Sequence, residues 1–300
     1  MPTLPFKPWP TAIAVAITLL IWLAIPLPEG LTSDAWLMLA IFVGTIAAII
    51  GKAMPIGAIS IIAIAIVAAS GVTSDNPGTA INDALSSYSN SLIWLIAISI
   101  MISRGLIKTG LGARIGYYFI SIFGKKTLGI GYSLAFSELS IAPVTPSNTA
   151  RGGGIMHPIM RSIAKGFDSR PEDGTSSKIG KYLALVNYHS NPITSAMFVT
   201  ATAPNPLTVE LISIATGAEI QLSWMTWALA MLLPGLVAIL AMPYILYLLY
   251  PPDIKQTPHA TQMARDKLAE MGKISRDEGI MLFVFLVLLL LWADIPALFL

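Results

Sequence analysis

Cysteine is absent from the 300 residues. That excludes disulfides and thiolate metal sites. Charge is scarce as well: Asp, Glu, Lys and Arg make up 11% of the chain, against about 25% in a soluble domain. There is no HExxH pair and no GxSxG setting for a serine nucleophile, so neither a metal-dependent nor a serine hydrolase is indicated, and the chain is not read as an enzyme. The net charge of +2 gives no basis for a nucleic-acid partner. No filter motif of the kind that lines a channel is present.

What remains is apolar. Hydrophobic residues make up 55% of the chain, and the mean hydropathy is +0.74. Such a chain cannot make a soluble surface, so lipid must be its solvent, and the expected class is an all-α, multi-span helical bundle. A span takes about 20 apolar residues. Candidates are Pro10–Pro26, Asp34–Ile50, Pro55–Gly71, Ser91–Ile107, Lys181–Thr202, Trp224–Tyr250 and Gly279–Pro296. The first carries a lone Lys7 and no small-residue cleavage pattern after Ile25, so it reads as a retained span rather than a signal peptide. A short amphipathic segment, Gly112–Phe123, suits the membrane interface. The polar stretch Asp253–Arg276 reads as an amphipathic surface helix.

Charge then orders the spans. With the N-terminus inside, the outer loops hold Glu29, Asp34, Asp75, Asp83, Glu210, Glu219 and Asp294. Of the 18 basic residues, all except Arg151 fall on the inner side, as the positive-inside rule requires. This works only if the apolar stretch Thr127–Ile163 enters from the inside and returns there. The charge pattern therefore predicts a re-entrant hairpin. Pro143 and Pro146 stop its first arm. Each arm is then about 15 residues, or about 22 Å, too short for a core of about 30 Å. Two short arms meeting at a polar tip are the mark of a broken-helix transporter site.

The tip runs from Thr145 through Ser147, Asn148, Thr149 and Arg151 to Gly154. Its hydroxyls, amide and free carbonyls are hard oxygen ligands suited to an alkali cation. The helix start at Thr149 favours a carboxylate. Gly152 and its neighbours allow close backbone approach, and Arg151 offers a guanidinium fork that matches carboxylate geometry. A second break, Thr200–Pro206, interrupts the fifth span after a polar face of Asn187, His189, Ser190 and Asn191. Tip and break together could enclose half of a midplane site. Glu138 and His189 have a pairing or structural reading beside a functional one, and His157, before Pro158, reads as structural.

The string APVTPSNTARGGG, Ala142–Gly154, on a hairpin after four spans and an interfacial helix, resembles the divalent anion:sodium symporter family. Its Ala150–Gly154 run is similar to the exchanger branch, which holds bacterial citrate/succinate antiporters and plastid 2-oxoglutarate/malate translocators. The resemblance covers essentially the whole chain. It implies an antiporter of di- or tricarboxylate anions in a bacterial inner membrane, built as an inverted repeat. Spans and interfacial helix (1–125) would form a scaffold. The hairpin (126–165) and the broken fifth span (166–223) would move. The sixth span with a cytoplasmic segment (224–278) and the start of a second repeat (279–300) would follow. Lipid and, at full length, a second copy of the chain would be its partners.

By that resemblance Ser147, Asn148, Thr149, Arg151, Gly152, Thr202, Pro204 and Asn205 bind substrate. Ser147, Asn148, Thr202 and Ala203 would frame a sodium ion if one is used; no other cofactor is implied. Two departures stand out. A second Ser-Asn-Thr-type tip is absent, so the gene is expected to continue for roughly 180 residues, a length that rests on the resemblance, with inverted repeats as its logic. Pro143 replaces a hydroxyl found in sodium-coupled members, which weighs against sodium coupling. A sodium-coupled dicarboxylate symporter and a non-transporting fragment are the alternatives.

Overall fold

The computed structural model describes residues 6–218, 220 and 222–295. Glu219 and the end of the last predicted span, from 296 on, lie outside the described residues. Among the described residues the chain is helical, with no strand beyond one isolated bridge. Contacts divide it into two compact units, Met1–Ile93 and Trp94–Leu300.

The first unit holds α1 (Pro8–Leu19), α2 (Ser33–Ile50), α3 (Ile56–Ser70) and α4 (Pro77–Leu85). The first two pack antiparallel. The amide of Lys7 reaches the Ala53 carbonyl at 2.9 Å, and the Trp36 indole caps the Ile21 carbonyl at 2.9 Å. Gly44 makes the close approach possible, because a Cβ there would collide with the Thr18 side chain, as small residues do in membrane helix pairs. Thr32 and Asn76 cap α2 and α4 through their side-chain oxygens. The sequence reading gave no helix at α4, which is too short and polar to register as a span.

The second unit carries α5 (Ser91–Thr109) from Trp94 onward, α6 (Leu111–Phe123) and α7 (Thr127–Ile141). After the hairpin tip come α8 (His157–Gly166), α9 (Gly180–Met197), α10 (Pro204–Thr216), α11 (Trp224–Leu249), α12 (Pro258–Met271) and α13 (Arg276–Trp292). The segment expected to be amphipathic is α6. Its Gly112 and Gly116, one turn apart, receive Ile155 and Ile159 of the hairpin's second arm, a ridge-in-groove fit. The core gathers Ile120, Ile130, Leu134, Ile159, Tyr182 and Leu183. Tyr132 and Tyr182 donate to the Leu240 and Pro243 carbonyls of α11 at 2.7 and 3.1 Å.

The two ends of the hairpin lie close together. Residues 253–259 tie together the two hairpin feet and the start of α9. Thr257 donates from its amide to Lys125 and from its hydroxyl to Gly124, both at 2.8 Å. His259 meets Phe167 ring to ring at 5.9 Å. Asp253 and Ile254 donate to the carbonyls of Ser177 and Lys178, both at 3.1 Å. The chain therefore enters and leaves the hairpin at one end of the unit. Beyond α12, Arg114 of α6 binds Glu278 at 2.7 Å and the Gly272 carbonyl at 2.9 Å. Glu278 also closes a capping box with Ser275 at the start of α13.

Two span expectations need correction. The fifth span does not run from Lys181 to Thr202: α9 ends at Met197 and α10 begins at Pro204, because the backbone at Phe198 and Thr202 is extended. And α2 and α11 alone, among the described residues, are unbroken helices long and apolar enough to cross a membrane. Helix α3, with 15 residues, spans only about 22 Å.

Candidate functional site

The site begins where two helices fail. Helix α7 stops at Ile141, a single tight turn carries Pro143, and Thr145 is extended. Ser147 then accepts from the Ala150 amide at 3.2 Å, and the Asn148 side chain accepts from the Thr149 amide at 2.8 Å. These bonds hold N–H groups that a helix start leaves unpaired. Thr149–Met156 winds on in wide, π-type turns before α8. Such turns are rare and concentrate at functional sites. Helix α9 breaks in a matching way at Val199–Ala201. There the Asn205 amide reaches back to the carbonyls of Ser195 and Phe198 at 2.8 and 3.0 Å.

The two breaks are joined. The Thr200 hydroxyl donates to the Pro143 carbonyl at 2.5 Å, and the Trp224 indole donates to the same hydroxyl at 2.9 Å. The main brace is Arg151, fully buried. Its guanidinium donates to the Thr145 carbonyl at the tip, to the Ala201 carbonyl in the break at 2.5 Å and to Ser195 Oγ at 2.7 Å. It also lies 3.7 Å from the carboxylate of Glu138, itself fully buried on α7. Asn191 extends the network, donating to Glu138 at 2.5 Å and to the Asn148 carbonyl at 2.9 Å.

On the open side lies a cavity of about 550 Å³. Asn148, Thr149, Gly152 and Gly153 line it from the tip, Asn187 and Asn191 from α9. Asn187 donates to the Gly152 carbonyl at 3.4 Å. Gly152 is there for space: a Cβ would come within 2.9 Å of the Asn191 amide nitrogen. Buried Glu138 Oε2, Thr145 Oγ1, Asn187 Oδ1, Ser190 Oγ and Arg151 Nε have no hydrogen-bond partner among the described residues. Buried polar atoms are usually satisfied, so this concentration around the tip is unusual.

The profile described as "Sodium:sulfate symporter transmembrane region" matches residues 6–295. The chain belongs to the divalent anion:sodium symporter family. Relatives of this symporter-family chain include the "Putative malate transporter YflS" of Bacillus subtilis (strain 168), 50% identical over 94% of this chain and 57% of the relative. The "Dicarboxylate transporter 1, chloroplastic" of Spinacia oleracea is 40% identical over 95% of this chain and 50% of its own length. The "L-tartrate/succinate antiporter" of Escherichia coli (strain UTI89 / UPEC) is 37% identical over 96% and 61%. The chain thus spans between half and about three-fifths of the length of these relatives.

In this symporter-family chain the expected site residues separate into two groups. Asn148, Thr149 and Gly152 face the cavity. Ser147, next in the chain to Asn148, is not part of the wall; it is half-buried, with its hydroxyl on the Ala150 amide. Thr202 and Ala203 lie in the break and Pro204 and Asn205 open α10; none of the four is part of the cavity wall. Arg151 is not among the residues of the cavity wall; its guanidinium is held by the carbonyls of the two breaks, Ser195 and the buried Glu138. Asn187 and Asn191 were outside the expected set. Their signal was present, two amides one turn apart on the polar face of α9.

Proposed function

We propose that this chain builds one half of the binding site of a carrier that exchanges di- or tricarboxylate anions across a bacterial inner membrane. The observation that carries the reading is the Arg151 brace. Carbonyls from two broken helices and a hydroxyl converge on one point, the donor set that would hold an alkali cation, and a guanidinium fills it. A guanidinium stays charged at any relevant pH and cannot leave with the substrate. It supports a site that needs no sodium to assemble the tip, and so exchange rather than sodium-coupled uptake. The names of the relatives, dicarboxylate and malate transporters and a tartrate/succinate antiporter, agree with a carboxylate cargo.

In this reading Asn148, Thr149 and the Gly152–Gly153 backbone present amide and hydroxyl donors to one carboxylate, and Asn187 and Asn191 set the opposite wall. The helix start at Thr149 adds its positive end. The ends of the hairpin face the cytoplasm, as the Lys125, Lys126, Lys165 and Lys255 cluster suggests. A second repeat completes the site, lipid covers the apolar faces, and two copies pair at full length.

The test is transport by the complete gene product in proteoliposomes. Ser147→Ala and Asn148→Ala should leave insertion intact and lower carboxylate flux at least tenfold, since a hydrogen bond to a charged group contributes about 1.5–3 kcal/mol. Undiminished flux in both variants would show that the tip is not the site.

A further inference from the structure

The tip cavity does not end at the tip. A second cavity of about 740 Å³ adjoins it, and the two share His157, Met160 and Ala184 as walls. They form one groove between α8 and α9. It runs from Asn148 down to the end of the unit where the hairpin feet meet. From Gly152 to Lys165 the α8 wall is about 20 Å long at the helical rise.

The charge along this groove is ordered. His157, Arg161 and Lys165 fall at i, i+4 and i+8 on α8, so they share one exposed face. Ile159 and Ile163 occupy the opposite, buried face. Lys181 faces them from the first turn of α9. Like charges four apart weaken a helix; the helix dipole favours Lys165 in the last turn, but among the described residues Arg161, Lys165 and Lys181 form no ion pair. Lys181 lies 5.0 Å from the Tyr250 ring centroid, a contact that leaves its charge in place. Arg170, Glu172 and Asp173 of the connecting loop line the same cavity, and Arg170 also meets Asp168 at 3.8 Å.

The positive-inside rule explains cations on this side of the membrane. It does not explain why three of them line a cavity that opens into the candidate site. We propose that the groove is a cationic antechamber, which gathers small polycarboxylate anions at the Arg161–Lys165–Lys181 floor and passes them along His157 to Asn148. The proposal rests on the carboxylate reading of the tip. The groove carries four cations against two acids, and a cleft with an excess of one sign raises local counter-ion concentration and on-rates, by about 10–1,000-fold where that sign lines it throughout; a volume of this size suits a small anion.

The chain's lack of cysteine makes the field measurable without transport. Ala184→Cys places one thiol where the two cavities meet. In discs of phosphatidylcholine, its modification rates are measured with two methanethiosulfonates of similar size, one sulfonate-bearing and one trimethylammonium-bearing. Relative to 2-mercaptoethanol, the anion-to-cation rate ratio should rise about tenfold or more at low salt. It should collapse in 1 M salt, where the screening length is about 3 Å. Adding Arg161→Gln, Lys165→Gln and Lys181→Gln should return it to the free-thiol value. Succinate at millimolar concentration should slow the sulfonate reagent, and that protection should vanish with the three substitutions.

A ratio equal to that of the free thiol, or one indifferent to salt in the otherwise unsubstituted protein, would overturn the antechamber. So would a ratio abolished by phosphatidylglycerol in the discs, which would assign the groove to lipid headgroups. These outcomes are separable from failure of the tip: steering can be lost while Ser147 and Asn148 remain essential for flux, and the reverse.

Discussion

Replacing Arg151 by alanine removes a side chain that is fully buried and tied at four points: the Thr145 and Ala201 carbonyls, Ser195 Oγ and the Glu138 carboxylate. The largest loss comes from what stays behind. Glu138 is left buried without its cation, with only Asn191 and Thr194 donating to it, and must either hold an uncompensated charge or take up a proton. Breaking a buried pair by removing one partner costs about 3–5 kcal/mol, because the other charge is left uncompensated. Two carbonyls also lose their donor. Arg151→Ala should therefore destabilise the hairpin against the break by at least about 3 kcal/mol. Adding Glu138→Gln should recover more than half of that loss, since a neutral amide carries no orphaned charge. Arg151→Lys should fall between, retaining the charge but not the planar fork that reaches several oxygens at once.

The assay is denaturant unfolding of the purified chain in discs, followed by tryptophan fluorescence. Two indoles report on the break directly. Trp224 stacks on Phe198 at 5.7 Å and donates to Thr200, and Trp227 donates to the Ala196 carbonyl at 2.9 Å. If Arg151→Ala unfolds within about 1 kcal/mol of the unsubstituted chain, or if Glu138→Gln deepens its loss, the brace is not what joins tip to break.

Three further outcomes follow from the same geometry. Gly152→Ala should push the Asn191 amide off Glu138 and the Asn148 carbonyl, reducing carboxylate flux severalfold in the complete gene product with insertion unchanged; flux equal to that of the unsubstituted carrier would show that the close approach is unimportant. Lys126→Cys and Lys165→Cys, made separately, should react with an impermeant maleimide from the same side of the membrane, and opposite sidedness would make the hairpin an ordinary span. Arg114→Ala should free the turn after α12, so amide exchange at 271–275 should speed at least tenfold, the equivalent of a charge-assisted bond of about 1.5 kcal/mol or more; unchanged exchange would show that the Glu278 tie does not hold that turn.

Much of the fold was legible because lipid imposes a coarse rule. A helix such as α11 must be long and apolar, and the sequence 224–250 is both. The charge pattern asks for a hairpin whose ends lie together, and in the structure residues 253–259 contact both ends, at Lys125 and at Phe167. Proline placed its tip. Helix α4 was not legible, because nine residues with polar ends satisfy neither the length nor the hydropathy of a span. The exact break in the fifth span was blurred by its prolines, which mark a region rather than a residue. At the site, the tip residues Asn148 and Thr149 could be named from their neighbours. The direction of Arg151 could not. It depends on which oxygens are left bare when two distant segments meet, at Thr145 and Ala201, and a sequence does not say where those carbonyls point. Asn187 and Asn191 were visible as a polar face, yet only the packing of α9 against the tip shows that they complete its wall.

The central claim is that a tethered guanidinium replaces an exchangeable cation, so that the carrier exchanges anions rather than drawing them in with sodium. The direct measurement is counterflow of labelled succinate into proteoliposomes of the complete gene product, with unlabelled succinate inside or absent, and with sodium or choline as the only cation. The account predicts uptake that requires internal carboxylate and is the same in choline as in sodium. Uptake into empty vesicles that is driven by sodium and lost in choline would contradict it.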